Sequence, residues 1–102
     1  MNTKKYTMGT QLTAKYVEQC PKEQNIGVIV SNAEEVDTKY GKRIAVNINI
    51  NKLMLKWVLN PTSVKNMEKV STETDDWLQT RVAFVVRDLE DGKKQVIGEP
   101  IL

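Results

Sequence analysis

The order of local signals constrains this chain most. Five short strand signals and one helix signal run between residues 26 and 98, and the helix falls between the third and fourth strands. Ile26 to Val30 is rich in β-branched residues, and this first strand is predicted to continue to Val36. Lys39-Tyr40-Gly41-Lys42 is a turn signal, because Gly41 can take a positive φ. Arg43 to Ile50 alternates cleanly, with Ile44, Val46, Ile48 and Ile50 on one face and Arg43, Ala45, Asn47 and Asn49 on the other. Asn51-Lys52 predicts the next turn. Leu53 to Leu59 predicts a third strand with Leu53, Leu55, Trp57 and Leu59 sharing a face. Asn60 can cap a helix that starts at Pro61, where a missing N–H costs nothing, and Val64, Met67 and Val70 form its apolar stripe. Arg81 to Arg87 predicts the fourth strand, Asp91-Gly92 a hairpin turn, and Gln95 to Gly98 a last strand stopped by Pro100.

This layout predicts an all-β fold with one short helix: a five-stranded OB-fold barrel over residues 19–102, its helix between strands 3 and 4. Residues 1–18 are expected to be an N-terminal arm or an extra strand, frayed from Met1 to Lys5 and loosely alternating from Tyr6 to Val17. Gln19 to Gln24, with Pro21, reads as a loop. An SH3-like barrel would lack the helix, and a ferredoxin-like fold would need two. The stretch from Ile26 to Ile97 resembles small OB-fold proteins of single-stranded DNA-binding type from phage and microbial genomes. The residues that carry the likeness are Tyr40-Gly41-Lys42-Arg43, Leu59-Asn60-Pro61-Thr62-Ser63 and Thr74-Asp75-Asp76-Trp77. The chain departs from that pattern at Gln79-Thr80 and at Val70-Ser71. The resemblance implies an OB fold more directly than a particular activity.

Composition narrows the chemistry. Histidine is absent and Cys20 is the single cysteine, which argues against His-based or Cys–His catalysis, multi-ligand zinc sites and an intrachain disulfide. No apolar run reaches the length of a membrane span, and no apolar stretch follows Met1 to Lys5 as a leader would require. A binding module without cofactor or metal is therefore expected, in the cytoplasm or, for a viral protein, the host-cell cytoplasm. An enzyme is the least favoured class.

The net charge of +2 hides a segregation. Residues 1–37 carry −1, residues 38–69 carry +6 and residues 70–102 carry −3. A basic middle suits a polyanion partner, against the alternative of a merely solvated face. OB barrels bind oligonucleotides across strands 2 and 3, flanked by the first and fourth connecting loops. Mapped here, those parts offer Lys39, Tyr40, Lys42, Arg43, Asn47, Asn49, Lys52, Lys56, Lys93 and Lys94. Lys42, Arg43, Lys52 and Lys56 are expected to hold phosphates, the asparagines to donate to phosphates or base edges, and Tyr40 to stack. A Tyr40 ring packed over its own hairpin is the structural alternative. Trp57 falls on the apolar face, but a one-residue slip of register would expose it as a second stacking ring.

Single-stranded DNA is the expected ligand, with RNA open because no motif reads a 2′-hydroxyl. The expected role is in replication, recombination or repair, with a homodimer or a replication or repair protein as compatible protein partners. The rival reading is an OB-type assembly subunit that recruits proteins at its strand edges. Several residues carry structural expectations only. Phe84 reads as core, Trp77 as a cover for the helix end, Thr62 and Ser63 as first-turn residues, and Cys20 as an inert thiol. Glu73, Asp75 and Asp76 read as a capped turn rather than a cation site.

Overall fold

The computed structural model describes residues 11–102, so most of the predicted N-terminal arm lies outside the described residues. Six strands form one antiparallel sheet: β1 (Ile26–Ile29), β2 (Glu34–Thr38), β3 (Gly41–Ile50), β4 (Leu53–Val58), β5 (Arg81–Asp88) and β6 (Lys94–Pro100). Two short helices, α1 (Ala14–Gln19) and α2 (Pro61–Met67), accompany them, with 3₁₀ turns at Lys22–Gln24 and Thr74–Trp77.

The sheet is organised around β3. One edge of β3 pairs with β4, in register from Ala45↔Val58 to Ile50↔Leu53. The other edge pairs first with β2, from Thr38↔Gly41 to Glu34↔Ala45, and then with β1 at Ile29↔Ile48 and Val28↔Asn49. The single strand predicted from Ile26 to Val36 is therefore two. Between Ile29 and Glu34, four residues face only Val46 and Asn47 of β3, so the chain bulges. The bulge does not orphan the ladder: Val30 N–H donates to the Asn47 carbonyl at 2.9 Å, and Asn47 N–H donates to Ser31 Oγ at 2.9 Å. Beyond β1 come β5, paired at Gly27↔Val82, and β6, paired to β5 over its whole length.

All three predicted turns form. Gly41 takes φ 100°, closing the β2–β3 hairpin after Lys39 and Tyr40. Asn51 and Lys52 both have positive φ, 52° and 65°, the mirror-image turn that matches strand twist. In the β5–β6 loop Gly92 has φ 81°, and Asp91 Oδ1 accepts from Lys93 N–H at 3.1 Å.

A closed five-stranded barrel is not what the described residues form. β2, β4 and β6 each pair with one neighbouring strand only, and no strand pairing joins β4 to β6. Side chains of α2 take the β6 edge instead. Asn60 Nδ2 donates to the Val96 carbonyl at 2.7 Å, Gly98 N–H donates to Ser63 Oγ at 3.0 Å, and Asn66 Nδ2 donates to the Gly98 carbonyl at 3.1 Å. Residues 60, 63 and 66 recur at three-residue spacing, so one stripe of the helix does the work of a neighbouring strand. Asn60 is also the predicted N-cap, its Oδ1 accepting from Ser63 N–H at 2.9 Å. On the β4 edge, Leu12 N–H donates to the Lys56 carbonyl at 2.8 Å beside a parallel bridge, Gln11↔Lys56.

The expectation of an extended segment up to Val17 fails for residues 14–17, which form the first turn of α1. Thr13 caps that helix, accepting from Tyr16 N–H at 3.2 Å, and Val17 is buried in the core. Asn25 ties it down by donating to the Val17 carbonyl at 2.8 Å. The core follows the alternation except at Leu53, exposed at the start of β4, and at Ala45, whose small side chain is fully buried on the opposite face of β3. Trp57 is 1% exposed and meets Phe84 edge-on, with ring centroids 4.9 Å apart. Trp77 is buried after α2, its Nε1 donating to the Ser71 carbonyl at 2.9 Å, as a cover for the helix end. The acidic turn closes on itself, with Ser71 Oγ donating to Asp76 Oδ2 at 2.7 Å and accepting from Glu73 N–H at 3.0 Å. No helix among the described residues is long and apolar enough to cross a membrane.

Candidate nucleic-acid interface

A cleft of about 690 Å³ opens where four segments meet: the β2–β3 turn, the β4–α2 junction, the β5–β6 loop and residues 11–14. Val58, Leu89 and Val96 contribute apolar surface, and the buried Leu12 and Leu59 border it. Each segment arrives for a local reason. Gly41 folds the β2–β3 hairpin back, Asn60-Pro61 turns the chain from strand to helix, and Asp91-Gly92 turns β5 into β6.

Five of the ten predicted contact residues line this cleft: Lys39, Tyr40, Arg43, Lys93 and Lys94. Tyr40 stands 62% exposed rather than packed over its hairpin, and Lys39 Nζ lies 5.2 Å from its ring centroid. Arg43 projects from the outer face of β3, one Nη donating to the Lys42 carbonyl at 3.3 Å. Lys94 sits at the start of β6, where Glu18 of α1 accepts from it at 2.6 Å. That hydrogen bond, then the charge of Glu18 and more weakly that of Asp88, holds the Lys94 pKa above its ordinary value. Lys93 Nζ lies 3.8 Å from Asp91, so with Glu18 on Lys94 the four cations meet two acids and leave +2 among the described residues of the cleft.

The other five lie elsewhere. Lys42 points to the opposite face of β3 from Arg43, where Glu35 holds it at 3.2 Å and Asp37 at 3.9 Å. It borders a second recess, about 370 Å³, between the β2–β3 hairpin and α2. Asn47 and Lys56 face each other farther along the outer face, and Lys56 is ion-paired to Glu34 at 2.9 Å. Asn49 faces Met54, and Lys52 occupies the β3–β4 turn. Trp57 does not stack on a ligand: the register puts its indole in the core, edge-on to Phe84.

Sequence reasoning missed two kinds of participant. Residues 11–14 form a wall of the cleft, yet nothing in their local pattern signals that position. The acids that hold Lys56 and Lys94, Glu34 and Glu18, are 22 and 76 residues away from them, so only the fold pairs them. Among the described residues no three acidic or cysteine side chains are placed to share a metal ion. Comparison of the chain with protein-family models, curated proteins and solved structures returns no match.

Proposed function

We propose that this protein binds single-stranded nucleic acid, DNA in the first instance, without sequence preference, and that it protects exposed strands during replication, recombination or repair. The observation that carries the reading is the convergence at one cleft of cations and an exposed ring from two turns fifty residues apart in sequence. Lys39, Arg43 and Lys93 would neutralise phosphates and release their counterions, with Lys94 already engaged by Glu18, while Tyr40 offers a face for an unpaired base. The connectivity supports an OB-type ancestry. β1 and β2 act as one bent first strand that pairs with both β3 and β5, and α2 lies between the strands corresponding to the third and fourth of an OB barrel. In OB barrels the loops flanking this cleft are the ones that border bound oligonucleotide.

The test is fluorescence anisotropy with a labelled 30-nucleotide oligo-dT and a duplex of equal length, across a salt series. Binding should favour the single strand and weaken with salt, with log K falling at a slope of about −2 for three neutralised phosphates. Tyr40→Ala should weaken binding by about 1–3 kcal/mol and leave that slope unchanged, whereas Arg43→Ala should flatten it. Absence of single-strand binding at low salt sinks the reading and leaves protein assembly through a strand edge, such as that of β2, as the alternative.

A further inference from the structure

The outer face of the sheet carries a second set of groups suited to a polyanion, and β2 neutralises it. In the ladder Glu34 lies opposite Ala45, while Asn47 lies opposite Lys56. Ala45 and Asn47 project to the same face, so Glu34 reaches Lys56 across the strand between them and holds its Nζ at 2.9 Å. Both side chains are about half exposed, at 40% for Lys56 and 58% for Glu34. An exposed pair of this kind contributes little to stability, so its main consequence is the charge it removes from the surface. Without the Glu34 carboxylate, Arg43, Asn47 and Lys56 would be the charged and polar groups on that face of β3 and β4, on either side of the buried Ala45. With it, a phosphate on that face meets a negative charge and a lysine already engaged.

We propose that Glu34 is a specificity-determining residue: it keeps Lys56 out of nucleic-acid binding and confines the bound strand to the cleft. The inference rests on the single-strand reading above and adds to it the path of the ligand. Glu35 and Asp37 make similar pairs with Lys42, but on the opposite face of β3, away from that path. They provide the control, because Glu35→Gln changes net charge by the same unit without touching Lys56.

The experiment is the salt series with oligo-dT on wild type, Glu34→Gln, Glu35→Gln and Lys56→Gln. Glu34→Gln should bind about three- to tenfold tighter at low salt and steepen the log K against log salt slope by about 0.7, the increment of one added phosphate contact. It should also require a longer minimal oligo-dT for full affinity. Lys56→Gln and Glu35→Gln should keep the wild-type slope. An unchanged slope in Glu34→Gln, with wild type binding, overturns the inference alone. An equal gain in Glu35→Gln overturns it too, since the effect would then be net charge and not the path. Wild type that fails to bind overturns the underlying reading, and this inference falls with it.

Discussion

Gly98→Ala tests the packing that positions the candidate cleft. A Cβ at Gly98 would lie 2.2 Å from Trp57 Cζ2, 2.5 Å from its Cη2 and 3.0 Å from Val82 Cγ1. None of these atoms is the end of a flexible side chain. The indole is 1% exposed and locked edge-on against Phe84, and Val82 is fully buried. The glycine cannot retreat either, because its N–H is held by Ser63 and its carbonyl by Asn66. Overpacking a well-filled core costs about 1–3 kcal/mol, and a contact this short against two immobile partners belongs at the upper end. The gain from stiffening the unfolded chain, about 0.4–1 kcal/mol, offsets only part of that. A net loss of about 2 kcal/mol is expected, which for a domain of this size lowers the melting temperature by roughly 8–16 °C. Urea unfolding followed by tryptophan fluorescence measures it, with Gly27→Ala as the internal comparison. At Gly27 a Cβ would meet Phe84 at 3.2 Å and Ile48 at 3.3 Å, contacts that small shifts relieve, so the loss should be clearly smaller. The combination of Gly98→Ala with Trp57→Phe should cost less than the sum of the two single changes, since the smaller ring vacates the contested space. A Gly98→Ala protein as stable as wild type, or additive behaviour in the pair, would refute the argument that the indole rests on this glycine.

Ser63→Ala should cost about 1–3 kcal/mol in urea unfolding, because it leaves the Gly98 N–H of a fully buried contact without a partner. Lys52→Gly should stabilise the protein by about 1 kcal/mol, since Lys52 holds a left-handed φ of 65° that glycine adopts without strain. The same variant should leave oligo-dT affinity nearly unchanged, because Lys52 does not line the cleft. The Lys94 pKa is raised in the fold, so its contribution to stability is complete below the ordinary lysine value and is lost as pH rises through the elevated one. Thermal melts across the alkaline range should show that loss in wild type and not in Glu18→Gln.

Much of the fold is legible locally. The β3 alternation, the Asn60-Pro61 helix start and the turns at Gly41, Asn51-Lys52 and Asp91-Gly92 all follow from short-range preferences, because each depends on the conformational limits of a few adjacent residues. The departures have one local and one long-range cause. α1 is six residues long, too short for an apolar period to emerge, and its Thr13 cap is the one signal it carries. The break at residues 30–33 depends on Ser31 reaching Asn47 across the sheet, a contact separated by 16 residues.

The sequence by itself determined most of the core faces of the strands, where the chain turns, and that positive charge gathers in its middle third. These properties reside in side-chain chemistry and strand period, which neighbours along the chain define. Only the tertiary structure decided which of those charges are available. It drew Lys93 to Tyr40 and Arg43, set Lys42 and Lys56 against the acids of β2 and Lys94 against Glu18, and closed the β6 edge with a helix instead of a strand. Charge falls off over a few ångströms, so its effect depends on which distant segments the sheet register brings together.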